Sequence, residues 1–204
     1  MKLLREITDA NVRHRARTTH DSLSPHYKGF TSSHLHHVKE YQKESFDLNN
    51  YLWNKHKDNE AFKKLDSRDS ANWESDASHM DSAVHQHKTP SKLVVWSGTR
   101  HDPRQLMNSE KIVHHPAFLS TSLNTTVAQN FAPPMKQGDG TNHQHILKIH
   151  VPKGHPGAYV ANISRHGEKE FILPRGTNLQ YIKSEEVPSE VGYIKRQIHH
   201  MRVV

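Results

Sequence analysis

The chain has 204 residues, and its 28 Lys and Arg against 21 Asp and Glu give a net charge of +7 with histidine neutral. Its length predicts one domain, and the absence of cysteine excludes disulfides, thiolate metal sites and a cysteine nucleophile. The composition is only 33% hydrophobic, and no run of about 18 apolar residues is present to cross a membrane. The charged N-terminal sequence does not fit a signal peptide, so we expect a cytoplasmic protein with no membrane partner.

The first part of the chain, residues 1–90, is polar and mostly helical in pattern. Residues 1–33 predict a solvated or flexible arm with a basic cluster of arginines at Arg13, Arg15 and Arg17. Apolar residues at three- and four-residue steps predict a helix over 34–56. Two shorter helices are expected near 58–65 and 76–87, separated by cap or breaker residues at Asp69, Ser70, Asn72 and Ser75.

The second part of the chain contains nearly all the strand-like segments. An Asn124 cap and a following proline pair predict a helix over 125–132, and residues 133–142 are expected to form a loop. Strands after a helical half favour an α+β class, with 34–204 as a single domain made of a helical part, 34–90, and a β-rich part, 91–204. The strand candidates are 93–96, 116–122, 145–151, 158–160, 169–173, 179–183 and 193–204.

Two carboxylates precede an apolar strand in the triplet Glu168-Lys169-Glu170. Residues two apart on a strand face the same side, so both carboxylates are expected to point together. Such a pair suits chemistry through a cationic, sugar-like transition state, because a carboxylate stabilises positive charge at an anomeric carbon. An exposed acid pair on a strand edge is the alternative, and the triplet alone favours it.

Two hydroxyl-rich motifs come earlier in the chain. Ser120-Thr121-Ser122 puts both serines on one strand face, where they can orient a carboxylate or a ligand hydroxyl. Ser97-Gly98-Thr99 follows a buried strand, and a glycine there lets the backbone approach a ligand closely. An ordinary turn from strand to loop is the alternative for the second motif.

The three motifs together resemble the mono-ADP-ribosyltransferases of the arginine–serine–glutamate class, which include bacterial toxins and phage enzymes. Ser120 follows Ser97 by 23 residues and Glu168 follows Ser120 by 48, both within that family's range. The helix that usually precedes the first strand is similar to the segment with Tyr41, Asn49 and Leu52. The resemblance implies a split α+β core, with two small sheets around an NAD cleft and an N-terminal helical flank. The small size looks more like a phage or intracellular enzyme than a multidomain toxin.

The resemblance also implies roles for individual residues. Glu170 is the expected catalytic glutamate, Glu168 faces the acceptor, and Ser120 orients Glu170. In this family a glutamate at the Glu168 position accompanies arginine acceptors. Ser122 is expected to support the NAD pocket, and the Gly98 backbone to meet the nicotinamide amide. Phe131 is expected either to stack on nicotinamide or to pack in the core.

The chain departs from the family at Ser97, which stands where an arginine normally braces NAD. A serine cannot supply a charged fork for phosphate. Arg100, beside Thr99 in the same motif, is the expected replacement, and Arg104 is a second candidate.

The expected activity is therefore transfer of ADP-ribose from NAD to a protein side chain, arginine by the resemblance, with release of nicotinamide. NAD is consumed as a substrate, no metal is required, and the expected partner is a host-cell protein. One alternative is a catalytically weakened, basic binding module of the same fold. Another is an enzyme that modifies nucleic acid or uses NAD-capped RNA, which the positive charge permits without favouring it.

The sequence also contains 20 histidines, several of them in close pairs. A His-x-His pair on a strand points two imidazoles the same way and can ligate zinc. No HExxH motif or three-ligand set with a carboxylate is apparent in the sequence, so we interpret the histidines as solubilising surface residues. The pairs lie at His34/His36/His37, His85/His87, His143/His145 and His199/His200.

Overall fold

The computed structural model describes residues 23, 29–58, 67–136, 140–161, 169–188 and 193–204. The arginine cluster at Arg13, Arg15 and Arg17 and the short helix expected near 58–65 therefore lie outside the described residues, apart from Asp58 at the end of a turn. Within the expected arm, Leu23 and Phe30 are buried. The α+β class is confirmed, because helices in the first half are followed by a large mixed sheet.

Helix α1, Ser32–His56, begins two residues before the expected start. Thr31 caps it, since its hydroxyl accepts from the His34 amide at 3.1 Å and the His34 ring accepts from the Thr31 amide at 3.5 Å. This reciprocal pair is a capping box in which histidine replaces the usual glutamate or glutamine.

Helix α2, Ser67–His85, begins well before the expected position near 76. The residues predicted to break the helix, Asp69, Ser70, Asn72 and Ser75, all lie inside it. Their weak helix propensity is overridden by packing, because Ala77, Met80, Ala83 and Val84 on the same helix are buried in a cluster with α1.

The described residues contain nine strands, which form one hydrogen-bonded sheet. They are β1 Leu93–Thr99, β2 Ile112–His115, β3 Leu119–Ser122, β4 Met135–Lys136, β5 Asn142–Val151, β6 Ala158–Tyr159, β7 Glu170–Leu173, β8 Thr177–Val187 and β9 Ile194–Val203. Their spatial order is β2-β8-β9-β5-β1-β3-β7-β6, and β4 pairs with β5. Only the β5–β9 pair is parallel among these strands. Strand β2 was not predicted, and the expected loop over 133–142 contains β4.

The sheet has a seam between β1 and β3. Across the described residues these two strands share a single register pair, Trp96 with Ser122. On either side of the seam the pairing is longer, with seven pairs between β1 and β5 and four between β3 and β7. The expected split core thus takes the form of two strand blocks joined at one point: the first block is β2-β8-β9-β5-β1 and the second is β3-β7-β6.

The core lies on both faces of the sheet. One cluster joins the first block to β7 and includes Val95, Ile149, Phe171 and Met201. The other packs α1 and α2 on the second block through Val38, Met80 and Ile172, among others. Helix α3, Thr125–Asn130, is capped by Asn124 as predicted and covers β1. Along the described ranges, no helix is both long and apolar enough to cross a bilayer.

Three histidines among the described residues are buried, contrary to the sequence-based interpretation. The side chains of His145 and His199 are fully buried, and His200 is nearly so. The ring of His115 at the end of β2 is half-buried, with Nδ1 donating to the Ala117 carbonyl at 2.7 Å and its edge against Trp53.

His115 should make folding stability depend on pH. Burial lowers the pKa of His115 to about 4 from the usual 6.5. The unfolded chain therefore takes up this proton near pH 6.5 and the folded chain only near pH 4, so stability is complete above pH 6.5 and is lost as the pH falls toward 4. We expect the free energy of unfolding, measured by urea titration, to fall less over this range in His115→Gln than in wild type. His114→Gln, at an exposed neighbouring ring, is the control, and an equal pH dependence in wild type and His115→Gln would contradict the assignment.

Candidate active site

A cleft of about 1070 Å³ opens between α1, α3 and the seam of the sheet. This volume is at the upper end of the range for ligand pockets and is enough for a dinucleotide. Eight of the sequence-predicted site residues line it, and the second arginine candidate, Arg104, does not: the lining residues are Ser97, Gly98, Thr99, Arg100, Ser120, Ser122, Phe131 and Glu170.

Glu170 is the first residue of β7, and its side chain is buried at 8% exposure. It lies opposite Ser122 of β3, which in turn lies opposite Trp96 of β1. Residues directly opposite each other in a ladder project from the same face, so these three side chains share one wall of the cleft. The Oε2 atom of Glu170 accepts a hydrogen bond of 2.8 Å from Nε2 of Gln42 on α1.

Glu168 lies outside the described residues, so its predicted position stays a prediction. The expectation that Glu168 and Glu170 point the same way assumed that Lys169 between them is part of the strand. Strand β7 begins at Glu170, and Lys169 before it has a left-handed backbone with φ of 47°. Side-chain alternation therefore stops at Glu170, and a left-handed non-glycine residue beside a buried carboxylate is typical of a functional site.

Ser120 is held by a network that starts on α1. The Tyr41 hydroxyl lies 3.0 Å from Oγ of Ser120 and accepts from Nδ2 of Asn49 at 3.0 Å. Oδ1 of Asn49 accepts from the Phe118 amide at 3.1 Å, just before β3. Burial raises the pKa of Tyr41, so the phenol keeps its proton and can donate it to Ser120. The helix segment with Tyr41 and Asn49 thus positions the serine strand.

Ser97 has a structural contact at the seam. Its hydroxyl donates to the Ser120 carbonyl at 2.9 Å, which joins β1 to β3 where the two strands share a single register pair. The Ser122 hydroxyl accepts from the Asn124 amide at 2.9 Å and so supports the start of α3. Thr99 closes a small turn by accepting from the His101 amide at 3.3 Å.

Gly98 lies directly under the end of α3. A Cβ atom at this position would be 2.3 Å from the Ala128 carbonyl oxygen and 2.6 Å from the Phe131 carbonyl carbon. The glycine therefore lets the helix end approach β1. Phe131 caps α3 and is 61% exposed on the cleft, so the suggested core role for this ring is wrong.

The two arginine candidates have different surroundings. Arg100 is exposed on the cleft wall, with no hydrogen bond or ion pair to any other described residue. Arg104 lies outside the cleft lining and binds Asp102, whose Oδ1 accepts from the Arg104 Nε at 2.9 Å. Of the two arginines, Arg100 is thus the one available to a bound anion.

Among the α1 residues that line the cleft, Gln42 and Phe46 were not predicted as site residues from the sequence. Gln42 contacts Glu170, and Phe46 is 69% exposed along the cleft. The sequence holds no signal for Gln42, since a polar residue on an amphipathic helix is expected to face solvent. Phe46 departs from the apolar periodicity of the helix, and that mismatch is the one signal available.

The cleft combines the buried carboxylate of Glu170 with serine hydroxyls. The rings of Phe46 on α1 and Phe131 at the end of α3 also line it, together with the unpaired guanidinium of Arg100. A carboxylate held away from water stabilises positive charge more strongly than an exposed one. An arginine at the rim suits phosphate, and the Phe131 ring suits a flat heterocycle. The site is thus built to hold an anionic, aromatic ligand and to stabilise a cation next to Glu170.

Comparison with known proteins supports this description. The family model described as ADP-ribosyltransferase exoenzyme matches residues 14–200. None of the curated proteins compared with the chain matches it.

Several solved structures share the fold. Plx2a, an ADP-ribosyltransferase toxin from Paenibacillus larvae, is 19% identical with a TM-score of 0.68, over 94% of this chain and 96% of that one. The C3 exoenzyme of Clostridium limosum is 17% identical with a TM-score of 0.67, over 94% of both chains. C3stau2 from S. aureus, solved with NAD, is 20% identical with a TM-score of 0.66, over 93% of this chain and 94% of that one.

Proposed function

The chain belongs to the ADP-ribosyltransferase exoenzyme family, and from this premise we propose that it transfers ADP-ribose from NAD to an arginine side chain of a target protein. NAD-dependent ADP-ribose transfer follows from the family. The acceptor residue, the roles of the site residues and a target in the cytoplasm of a host cell are the proposal. The observation that carries it is the buried Glu170 beside Ser122 in a cleft of dinucleotide size.

Glu170 stabilises the transition state in this proposal. The bond between the ribose anomeric carbon and nicotinamide breaks, and its electron pair leaves with nicotinamide. Positive charge then develops on the ribose, and the Glu170 carboxylate both stabilises it and holds the ribose 2′-hydroxyl. Gln42 and the cross-strand position of Ser122 support Glu170 in a fixed orientation.

The other predicted site residues bind or position the substrate. Phe131 stacks on nicotinamide, and the close approach of α3 to Gly98 holds this ring at the cleft wall. Ser120, held by Tyr41, contributes a hydroxyl to the floor of the site. Thr99 shapes the turn that carries Arg100 to the phosphates, and Ser97 holds the end of β1 against Ser120.

Glu168 is proposed to receive the proton that the arginine nitrogen loses when it attacks the anomeric carbon. This role rests on the resemblance of the Glu168-x-Glu170 motif to arginine-modifying enzymes. We also expect 34–204 to act as one transferase domain, on whose core the buried Leu23 and Phe30 of the preceding segment pack.

The acceptor is tested with labelled NAD and a host lysate, followed by mass spectrometry that locates ADP-ribose on the modified peptide. We expect the label on arginine, and we expect Glu168→Gln to lose protein labelling while it still releases nicotinamide into water. Label on another side chain would refute the arginine proposal. Label removed by nuclease but not by protease would favour the nucleic-acid alternative, and no turnover of NAD at all would favour the binding module.

Arg100 should contribute to the affinity for NAD. Loss of a charge-assisted hydrogen bond to phosphate costs about 1.5–3 kcal/mol, so Arg100→Ala should raise the KM for NAD by about tenfold or more. Arg104→Ala, at a guanidinium already bound to Asp102, is the matched comparison and should raise KM less. Initial rates of nicotinamide release over a range of NAD concentrations measure both. A larger effect in Arg104→Ala would reverse the assignment.

A further inference from the structure

Three metal-ligating side chains meet at a place that does not line the cleft. They are Asp102, His145 and His199, and each has a ligand atom within 4.8 Å of the other two. Asp102 lies in the loop after β1 and caps the short helix Pro103–Leu106, while His145 and His199 lie on the parallel strands β5 and β9. Both imidazole side chains are buried, at 1% and 0% exposure.

The two rings contact each other directly. Nδ1 of His145 lies 2.9 Å from Nε2 of His199, and Nδ1 of His199 lies 2.7 Å from Oγ of Ser184 on β8. The Tyr181 hydroxyl in turn donates to Ser184 at 2.9 Å.

One atom of this network is left unsatisfied. Nε2 of His145 is buried and has no hydrogen-bond partner among the described residues. It points away from His199, because the two nitrogens of an imidazole ring diverge and Nδ1 is the one that faces His199, so this atom does not face the space between the two rings. His143 on the same strand face lies beside His145, with ring centroids 6.1 Å apart.

We propose that Asp102, His145 and His199 bind a divalent transition-metal ion of the zinc class. Imidazole nitrogen and carboxylate oxygen are zinc ligands, and three protein ligands leave a fourth position for water. Ser184 fits the role of an outer partner, because a metal-bound histidine usually bonds an oxygen through its other ring nitrogen. The ion replaces the proton shared by the two rings, and tetrahedral zinc at its usual bond lengths separates their nitrogens by about 3.3 Å.

Asp102 completes the site while it also binds Arg104. Its Oδ1 and Oδ2 atoms both accept from Nε of Arg104 at 2.9 Å. A carboxylate has about four lone-pair positions, so the guanidinium and an ion can share it. Arg104 balances the charge of Asp102 when the ion is absent and becomes an outer partner when it is bound.

The ion would affect the cleft indirectly, by fixing the position of a loop that lines it. It would tie the loop after β1 to β5 and β9, and Arg100 and His101 of that loop line the cleft. The site is therefore structural, and the reaction itself does not pass through it. This inference goes beyond the proposed transfer activity, and it is tested without NAD.

The test measures metal binding by the full chain without an affinity tag. After dialysis against a chelator, Zn²⁺ binding is measured by calorimetry, and Co²⁺ is added in parallel to read the coordination geometry from its absorption. We expect one equivalent of Zn²⁺ with a raised melting temperature. Asp102→Asn, which keeps the size of the side chain, should weaken binding by at least about tenfold and remove the thermal shift.

Surface histidines provide the control for unspecific binding. The rings of His37 and His79 stack at 4.0 Å between the two long helices, away from the cluster. His79→Gln should leave the equivalent of Zn²⁺ in place, whereas His145→Gln should lose it with the circular dichroism spectrum unchanged. Absent binding in wild type, equal affinity in wild type and Asp102→Asn, or a loss confined to His79→Gln would each overturn the proposal.

Discussion

Replacing Glu170 by glutamine should lower the rate of ADP-ribose transfer by about 10²-fold or more while the protein stays folded. The amide has almost the same size, and its oxygen can still accept the hydrogen bond from Gln42. It carries no charge, however, so it cannot stabilise the cation that develops on the ribose. Removal of one preorganised electrostatic contact of this kind typically costs about 10²–10³ in turnover.

Two comparison variants make the Glu170 experiment specific. Glu110→Gln makes the same chemical change at an exposed turn away from the cleft and should leave the rate unchanged. Gln42→Ala removes only the hydrogen bond that holds the carboxylate and should lower turnover by about tenfold with a smaller change in KM. Initial rates of nicotinamide release measure all three. Transfer by Glu170→Gln at more than a tenth of the wild-type rate would refute the catalytic assignment.

Substitution of Gly98 by alanine should affect both stability and NAD binding. The new methyl group would lie 2.3 Å from the Ala128 oxygen and 2.5 Å from the Ala132 nitrogen. Both are backbone atoms, so no side-chain rotation relieves the clash and the end of α3 must move away from β1. Overpacking of this kind costs about 1–3 kcal/mol, and the moved helix end carries Phe131 away from the cleft.

Urea unfolding and the KM for NAD measure the two effects in Gly98→Ala. Gly154→Ala is the comparison, because the space around Gly154 is open but its φ is +82°, so its cost is backbone strain alone. That variant should lose stability without a change in KM. A Gly98→Ala protein with the stability and KM of wild type would show that α3 does not need this close approach.

The three motifs singled out in the sequence come together in the structure, while the roles of their residues stay predictions. Residues from all three line one cleft, because β1, β3 and β7 are neighbours in the sheet. The Asn124 cap likewise identified the start of α3, since capping depends on residues close in sequence.

Features that depend on distant contacts were not predictable in the same way. Gln42 reaches Glu170 across the cleft, and no property of the helix sequence marks it. His145 and His199 come together through the parallel pairing of β5 with β9, and Asp102 reaches them from the loop after β1, so the spacing of histidines along the chain does not reveal the cluster. The early start of α2 follows from its packing on α1, which outweighs the poor propensity of its first residues.

The sheet is held together less firmly at the seam between β1 and β3 than within either strand block. Because Trp96–Ser122 is the single register pair there, supplemented by the hydroxyl of Ser97, a change in the angle between the blocks breaks few hydrogen bonds. The longer ladders on either side resist the same deformation. Bending of the sheet is therefore easiest at the row formed by Glu170, Ser122 and Trp96. The width of the cleft can change there while the strands of each wall keep their pairing.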